Sequence, residues 1–153
     1  MKILLARVAK GNTKWADQAV GNYLKRIGSA WKIEERKFKL SSKTDLNEKR
    51  RLESEQIQNI LVPTDRLIVL DERGEAITSE EFAGWLESSM NQGCKRIVFA
   101  IGGPFGHTAE LRNKAWKSLA FSPMVLNHEM ARMLLAEQLY RASTIIWGGK
   151  YHH

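Results

Sequence analysis

Three near-continuous apolar stretches limit this chain more than any other feature: residues 1–9, which hold Ile3, Leu4, Leu5 and Val8, then residues 66–70 and 96–100. None alternates apolar with polar residues, so each reads as a strand covered on both faces, as in a parallel sheet between helix layers. Helical patterns separate them. Asn12 or Thr13 caps a helix through Ile27, with Trp15, Ala19, Val20, Tyr23 and Leu24 on one face and Gly28 as its stop. Residues 31–40 read as a further, highly charged strand. Leu46, Leu52, Ile57, Ile60 and Leu61 form a sparse helical stripe that Pro63 ends; it reads as the most exposed part of the fold. Thr78 and Glu81 stand at capping-box spacing ahead of Phe82, Trp85, Leu86 and Met90, and Gly93 closes that helix. Residues 108–119 read as the next helix, and a short strand at 124–126 leads into the last one. This alternation predicts a single α/β domain over residues 1–153, with a mostly parallel sheet flanked by helices.

The last helix is unusual. Between residues 130 and 142, Met130, Ala131, Met133, Leu134, Leu135, Ala136, Leu139, Tyr140 and Ala142 make it apolar nearly all round, the pattern of a helix buried on every side. It nevertheless carries Arg132, Glu137 and Arg141, the last two at the four-residue spacing where helical side chains meet. Two readings stand. One is a central core helix with an internal ion pair; the other is a helix buried by a second subunit, with Arg132 facing a shared pocket.

Lysine and arginine outnumber aspartate and glutamate 24 to 17, for a net charge of +7. Such an excess points toward a polyanion, most often nucleic acid, with plain solubility as the competing account. The sequence has no basic tail, RGG tract or zinc-finger spacing, so an RNA site has to be assembled by folding. The basic residues Lys43, Lys49, Arg50 and Arg51 read as a solvated face or as an RNA-touching flank. Cys94 is the sole cysteine, which excludes an intramolecular disulfide and fits a reducing cytoplasm. His107, His128, His152 and His153 show no ligand spacing, so no metal is expected. No apolar run approaches the roughly 20 residues of a membrane span, and the opening residues are interrupted too soon for a signal peptide.

In open parallel sheets, ligands collect where loops leave the carboxyl ends of strands. Three loops qualify: after Leu70, after Ile101, and around residues 121–126. The second, Gly102-Gly103-Pro104-Phe105-Gly106-His107-Thr108, has three residues between Gly102 and Gly106 and a histidine where a phosphate loop carries lysine. It reads as a simple turn or as a place where a ligand approaches the backbone closely. The third has Ser122 as its main polar side chain and Pro123 as a stiffener. It would bind through backbone groups and apolar walls, which suits a flat heterocycle better than a phosphate-rich nucleotide.

In order along the chain come Gly102-Gly103-x-x-Gly106, Ser122-x-Met124, His128-x-Met130-x-Arg132, Glu137-Gln138-Leu139-Tyr140-Arg141-Ala142 and a terminal Tyr151-His152. Together these motifs resemble the ribosomal RNA large subunit methyltransferase H family, small members of the SPOUT methyltransferases, over essentially the whole chain. The resemblance implies a C-terminal trefoil knot, with knot and cofactor site in roughly residues 66–153. It implies S-adenosylmethionine as methyl donor and N3 of a pseudouridine in 23S rRNA of the ribosome as acceptor. It also implies a homodimer whose active site draws on both protomers, with Leu134, Leu135 and Leu139 in the contact. The family's cofactor positions fall on Leu70, Gly102, Gly103, Phe121, Ser122, Pro123, Met124, Val125 and Leu126, in the three loops already singled out.

Attack by N3 requires loss of its proton, to a base or with a cation stabilising the anion. We expect His152 and Arg132 at this site, with Tyr151 stacking on the target base. The chain departs from the family pattern at Asn127-His128, where Pro-His is usual, at Val8-Ala9-Lys10, where Val-Gly-Lys is usual, and at His153, where a cation usually ends the tail. Two rival readings are a SPOUT enzyme acting on transfer RNA and a non-catalytic RNA-binding or ribosome-assembly protein.

Overall fold

The computed structural model describes residues 1–11 and 13–151. Along them run β1 (Lys2–Val8), α1 (Lys14–Ile27), β2 (Lys32–Phe38), α2 (Leu46–Gln58), β3 (Asp65–Ala76), α3 (Ser79–Asn91), β4 (Arg96–Ile101), α4 (Ala109–Lys114), β5 (Lys117–Ala120) and α5 (His128–Trp147). The strands form one sheet in the order β2-β1-β4-β3-β5, and every neighbouring pair is parallel.

Successive residues of a strand face opposite sides, and here both sides are covered. Ile3, Leu5, Ile68, Ile97 and Phe99 meet Ile27 of α1, Phe82 and Leu86 of α3, and Leu135 and Leu139 of α5. Leu4, Ala6, Leu67, Val69, Val98 and Ala100 meet Ile57 of α2 and Leu111 of α4. Burial on two faces is why the apolar runs do not alternate. Each fully buried aliphatic or phenyl side chain contributes roughly 1.5–3 kcal/mol.

Local signals set several boundaries. Gly28, at φ 60°, ends α1, and the capping box of Thr78 and Glu81 opens α3. Asn127, which stands where the resembling family usually has proline, caps α5 by accepting hydrogen bonds from the amides of Glu129 and Met130 at 3.0 and 2.9 Å. The Asn12 alternative for the α1 cap lies outside the described residues; Thr13 occupies the cap position without a side-chain cap bond.

The structure differs from expectation in four places. The helix expected over residues 108–119 stops at Lys114, because the amide of Trp116 donates to the Leu67 carbonyl at 2.8 Å and draws the chain onto the sheet edge as β5. The strand expected at 124–126 does not form. With no strand to pair with, the segment turns instead, and the Met124 amide donates to Ser122 Oγ at 3.0 Å. The second apolar strand continues to Ala76. Its pairing steps from Leu70 opposite Leu119 to Glu75 opposite the same Leu119, so residues 71–74 loop out at the carboxyl end of the sheet. Lastly, α2 is not merely a solvated face: Glu53, Ser54 and Ile57 are buried.

Gly74 is where the looped segment returns. A Cβ there would lie 2.7 Å from the Ser118 carbonyl carbon and 2.8 Å from that of Leu119, both backbone atoms that cannot step aside. Gly74→Ala should therefore cost about 2 kcal/mol through overpacking, a Tm drop of roughly 4–8 °C for a domain of this size, read by thermal melting monitored by circular dichroism.

Candidate functional site

Because β5, β3 and β4 are adjacent and parallel, the loops leaving their carboxyl ends converge. They wall a cavity of about 630 Å³, within the range of small-molecule sites. Leu70, Glu72 and Arg73 come from the first loop, Gly102, Gly103 and Phe105 from the second, and Val125, Leu126 and Asn127 from the third. His128 and Ala131 of α5 complete the wall. A pit of about 70 Å³ shares Leu70, Leu126 and Ala131 with the cavity and adds Phe121, Ser122 and Met124. Of the nine residues expected to hold a cofactor, only Pro123 lines neither space. A larger cleft of about 820 Å³ opens at the other end of the sheet, beside Lys2, Lys95 and Arg96. It lies at the amino ends of the strands, away from the loops where parallel sheets bind ligands, so we place the functional site at the carboxyl end.

The glycine loop is a tight turn that also forms a wall. The amide of Gly106 donates to the Gly103 carbonyl at 3.0 Å, and Gly106, at φ 68°, occupies the left-handed region. A Cβ on Gly103 would lie 2.5 Å from Oε2 of Glu53. Glu53 is buried beneath the loop; its Oε1 accepts from the Ser41 amide at 2.9 Å, and Oε2 has no hydrogen-bond partner. Below the turn, His107 is 2 % exposed and its Nε2–H donates to the Ala100 carbonyl at 3.2 Å. Burial lowers its pKa to about 4. Asp71, at the end of the apolar part of β3, is buried, which pushes its carboxyl up. Hydrogen bonds from the Arg73 side chain and backbone outweigh that effect and hold it below the usual range. Backbone groups, apolar walls and a few fixed charges thus shape the cavity. Among the described residues, no group of three or more His, Cys, Asp or Glu side chains could hold a metal ion, and no helix is long and apolar enough to cross a membrane.

A family model described as "Predicted SPOUT methyltransferase" matches residues 1–152. The chain belongs to the SPOUT methyltransferase family. It is 38% identical over 153 residues to a protein from Geobacter sp. named ribosomal RNA large subunit methyltransferase H, covering 100% of this chain and 99% of that one. A protein of the same name from Bdellovibrio bacteriovorus is 38% identical over 155 residues, again covering 100% and 99%. Among solved structures, a probable methylase family protein from Haemophilus influenzae superposes with a TM-score of 0.57 at 18% identity, over 99% of this chain and 70% of that one. That likeness concerns the fold.

Within this SPOUT fold, Arg132 does not face the cavity. It is 3 % exposed, and its guanidinium donates to both carboxylate oxygens of Glu35 at 2.8 and 2.6 Å. It also donates to Asp17 at 2.6 Å and to Glu129 at 3.2 Å. Burial opposes its charge, but the bonds to Glu35 and Asp17 more than offset that and raise its pKa. The guanidinium expected to stabilise an anion is already committed. Tyr151 also lies apart from the cavity. Its ring packs on Tyr140 at 4.6 Å between centroids, under the Arg141 guanidinium at 4.8 Å, and its hydroxyl donates to Glu137 at 3.4 Å. The Glu137–Arg141 pair forms as its spacing predicts, at 2.6 Å. His152 lies outside the described residues.

Sequence reasoning passed over Glu53, Asp71 and the buried role of His107, because polar residues under a loop carry no apolar periodicity to reveal them. Two outcomes test these placements. Arg132→Ala would leave Glu35 without its counter-charge and Glu129 with Arg7 alone of its two arginines, at a cost of about 3–5 kcal/mol in urea unfolding; a variant of unchanged stability would return Arg132 to a direct chemical role. His107 has its folded pKa depressed, so the unfolded chain binds the extra proton between about pH 6.5 and 4. Its contribution is fully present above that window and is lost as pH falls through it. His107→Leu should therefore remove about 2 kcal/mol of the stability lost between pH 7 and 5, seen as a smaller shift in urea midpoint.

Proposed function

We propose that this SPOUT protein is an S-adenosylmethionine-dependent methyltransferase acting on N3 of a pseudouridine in 23S rRNA of the large ribosomal subunit, in the cytoplasm and as a homodimer. The observation that carries this reading is the three-loop cavity, in a chain similar over its full length to proteins named for large-subunit rRNA methylation. The reading also includes a trefoil threading within roughly residues 66–153, which accompanies such a site in the resembling family.

The residues present fit the donor. Leu70, Val125 and Leu126 offer apolar walls, the backbone of residues 101–103 forms part of the lining, and among the described lining residues no cationic cluster demands phosphate. Bound there, S-adenosylmethionine would supply an electrophilic methyl group. The protein's part is to hold donor and acceptor in line, to exclude water and to take the N3 proton. We assign proton removal to His152 and stacking on the base to Tyr151.

A second protomer is part of the reading because of where the tail starts. Tyr151 is anchored on Tyr140, and Tyr140 lies about 18 Å along α5 from His128 at 1.5 Å per residue. Tyr151 thus stands away from the cavity of its own protomer, and in this reading it serves the cavity of the partner. On α5, Met130, Leu134, Glu137 and Arg141 share a face that is only half buried, and Met124 and Val125 beside the cavity are 75% and 79% exposed. Leu135 and Leu139, expected in the dimer contact, are instead filled by the protomer's own core. This leaves Leu134 as the contact residue of that trio.

The test is a methylation assay on large ribosomal subunits lacking the modification, with mass mapping of the product. His152→Ala should slow transfer by about 10²–10⁴ while S-adenosylhomocysteine binding, measured by calorimetry, stays unchanged. Full activity in that variant would remove His152 from the mechanism, and full activity of a monomer in sedimentation would remove the shared site.

A further inference from the structure

Helix α2 reaches from solvent to the floor of the cavity. On its inner side, Glu53 packs on Gly103, and Ser54 Oγ accepts a hydrogen bond from the Thr108 amide at 3.0 Å. One turn earlier, Arg50 Nε donates to the Phe105 carbonyl at 2.9 Å, and Lys49 Nζ lies 5.4 Å from the centre of the Phe105 ring. Phe105 lines the cavity and is 37% exposed at its rim.

The cations of this segment divide into two kinds. Lys43 pairs with Glu48 at 3.1 Å, and Arg51 pairs with Glu55 at 2.6 Å, as expected of a solvated helix face. Among the described residues, Lys49 and Arg50 have no carboxylate partner. Both are half buried and are held by Phe105 instead. Arg50 spends only its Nε on the loop, which leaves two terminal nitrogens in the planar arrangement that receives a phosphate.

We propose that Lys49 and Arg50 bind the phosphate backbone of the substrate RNA at the rim of the donor cavity and, through Phe105, couple RNA docking to the glycine loop. The proposal rests on the rRNA methyltransferase reading and adds to it the protein surface that meets the RNA chain. Uncompensated cations at a cavity mouth match a polyanionic partner in charge, and the contact is continuous with the site it serves. Because the same loop is both a wall of the donor cavity and the anchor of the two cations, donor and RNA affect each other's affinity reciprocally.

The experiment compares two doubly substituted proteins that lose the same charge, Lys49→Gln/Arg50→Gln and Lys43→Gln/Arg51→Gln. Binding to large ribosomal subunits is measured across a salt series, and S-adenosylhomocysteine binding is measured by calorimetry with and without the subunits. The first variant should show a salt slope shallower by about 1–2 and lose the enhancement of donor binding by subunits. The second should keep both slope and enhancement. Equal slopes in all three proteins, or equal loss in both variants, would overturn the proposal. Failure of the unsubstituted protein to bind the donor at all would instead overturn the functional reading beneath it.

Discussion

Arg132 ties together the half of the molecule from which the last helix departs. It joins α5 to β2 through Glu35 and to α1 through Asp17, while Arg7 of β1 reaches Glu129 at 3.0 Å. Two arginines and three carboxylates thus fasten four elements, with the arginines and Glu129 buried and Asp17 and Glu35 partly open to water. Such a cluster adds little net stability, since its buried charges surrender their hydration, but removing one member weakens the hold on its partners. Its value here is positional. It fixes the first turn of α5, and with it Asn127, His128 and Ala131, against the cavity.

On the other side of the cavity, the support is of a different kind. The glycine loop rests on a helix that meets it through a buried carboxylate, a serine and an arginine. A Cβ on Gly103 would strike Glu53, so the missing side chain is needed to seat the loop on its support. Charge pairing on one flank and close backbone packing on the other give the three loops their shape.

The layout of the sheet was legible because burial on two faces leaves an unmistakable trace: runs such as residues 96–100 have nowhere to go but the centre of a parallel sheet. The loops after Leu70 and Ile101 could be located for the same reason, since strand ends follow from strands; the third follows β5, whose residues read as helix. The boundary between α4 and β5 was not legible. It depends on Trp116 bonding to Leu67, a contact between residues far apart in the chain, and nothing local announces it. The surroundings of Arg132 were partly hidden. Glu129, three residues earlier on the same helix, could have been paired with it by counting, but Asp17 and Glu35 come from α1 and β2, and only the fold brings them to it. Glu137 and Arg141, four residues apart on one helix, could be paired by counting.

The two borders of the sheet have a consequence for how copies of this chain can meet. β2 carries five charged residues among its seven, and β5 is only four residues long. A strand so charged, and another so short, give an incoming backbone little to zip onto. Lateral growth into a ten-stranded sheet or a fibril is thereby discouraged at both margins, and self-association is diverted to the helical and loop surfaces above and below the sheet plane.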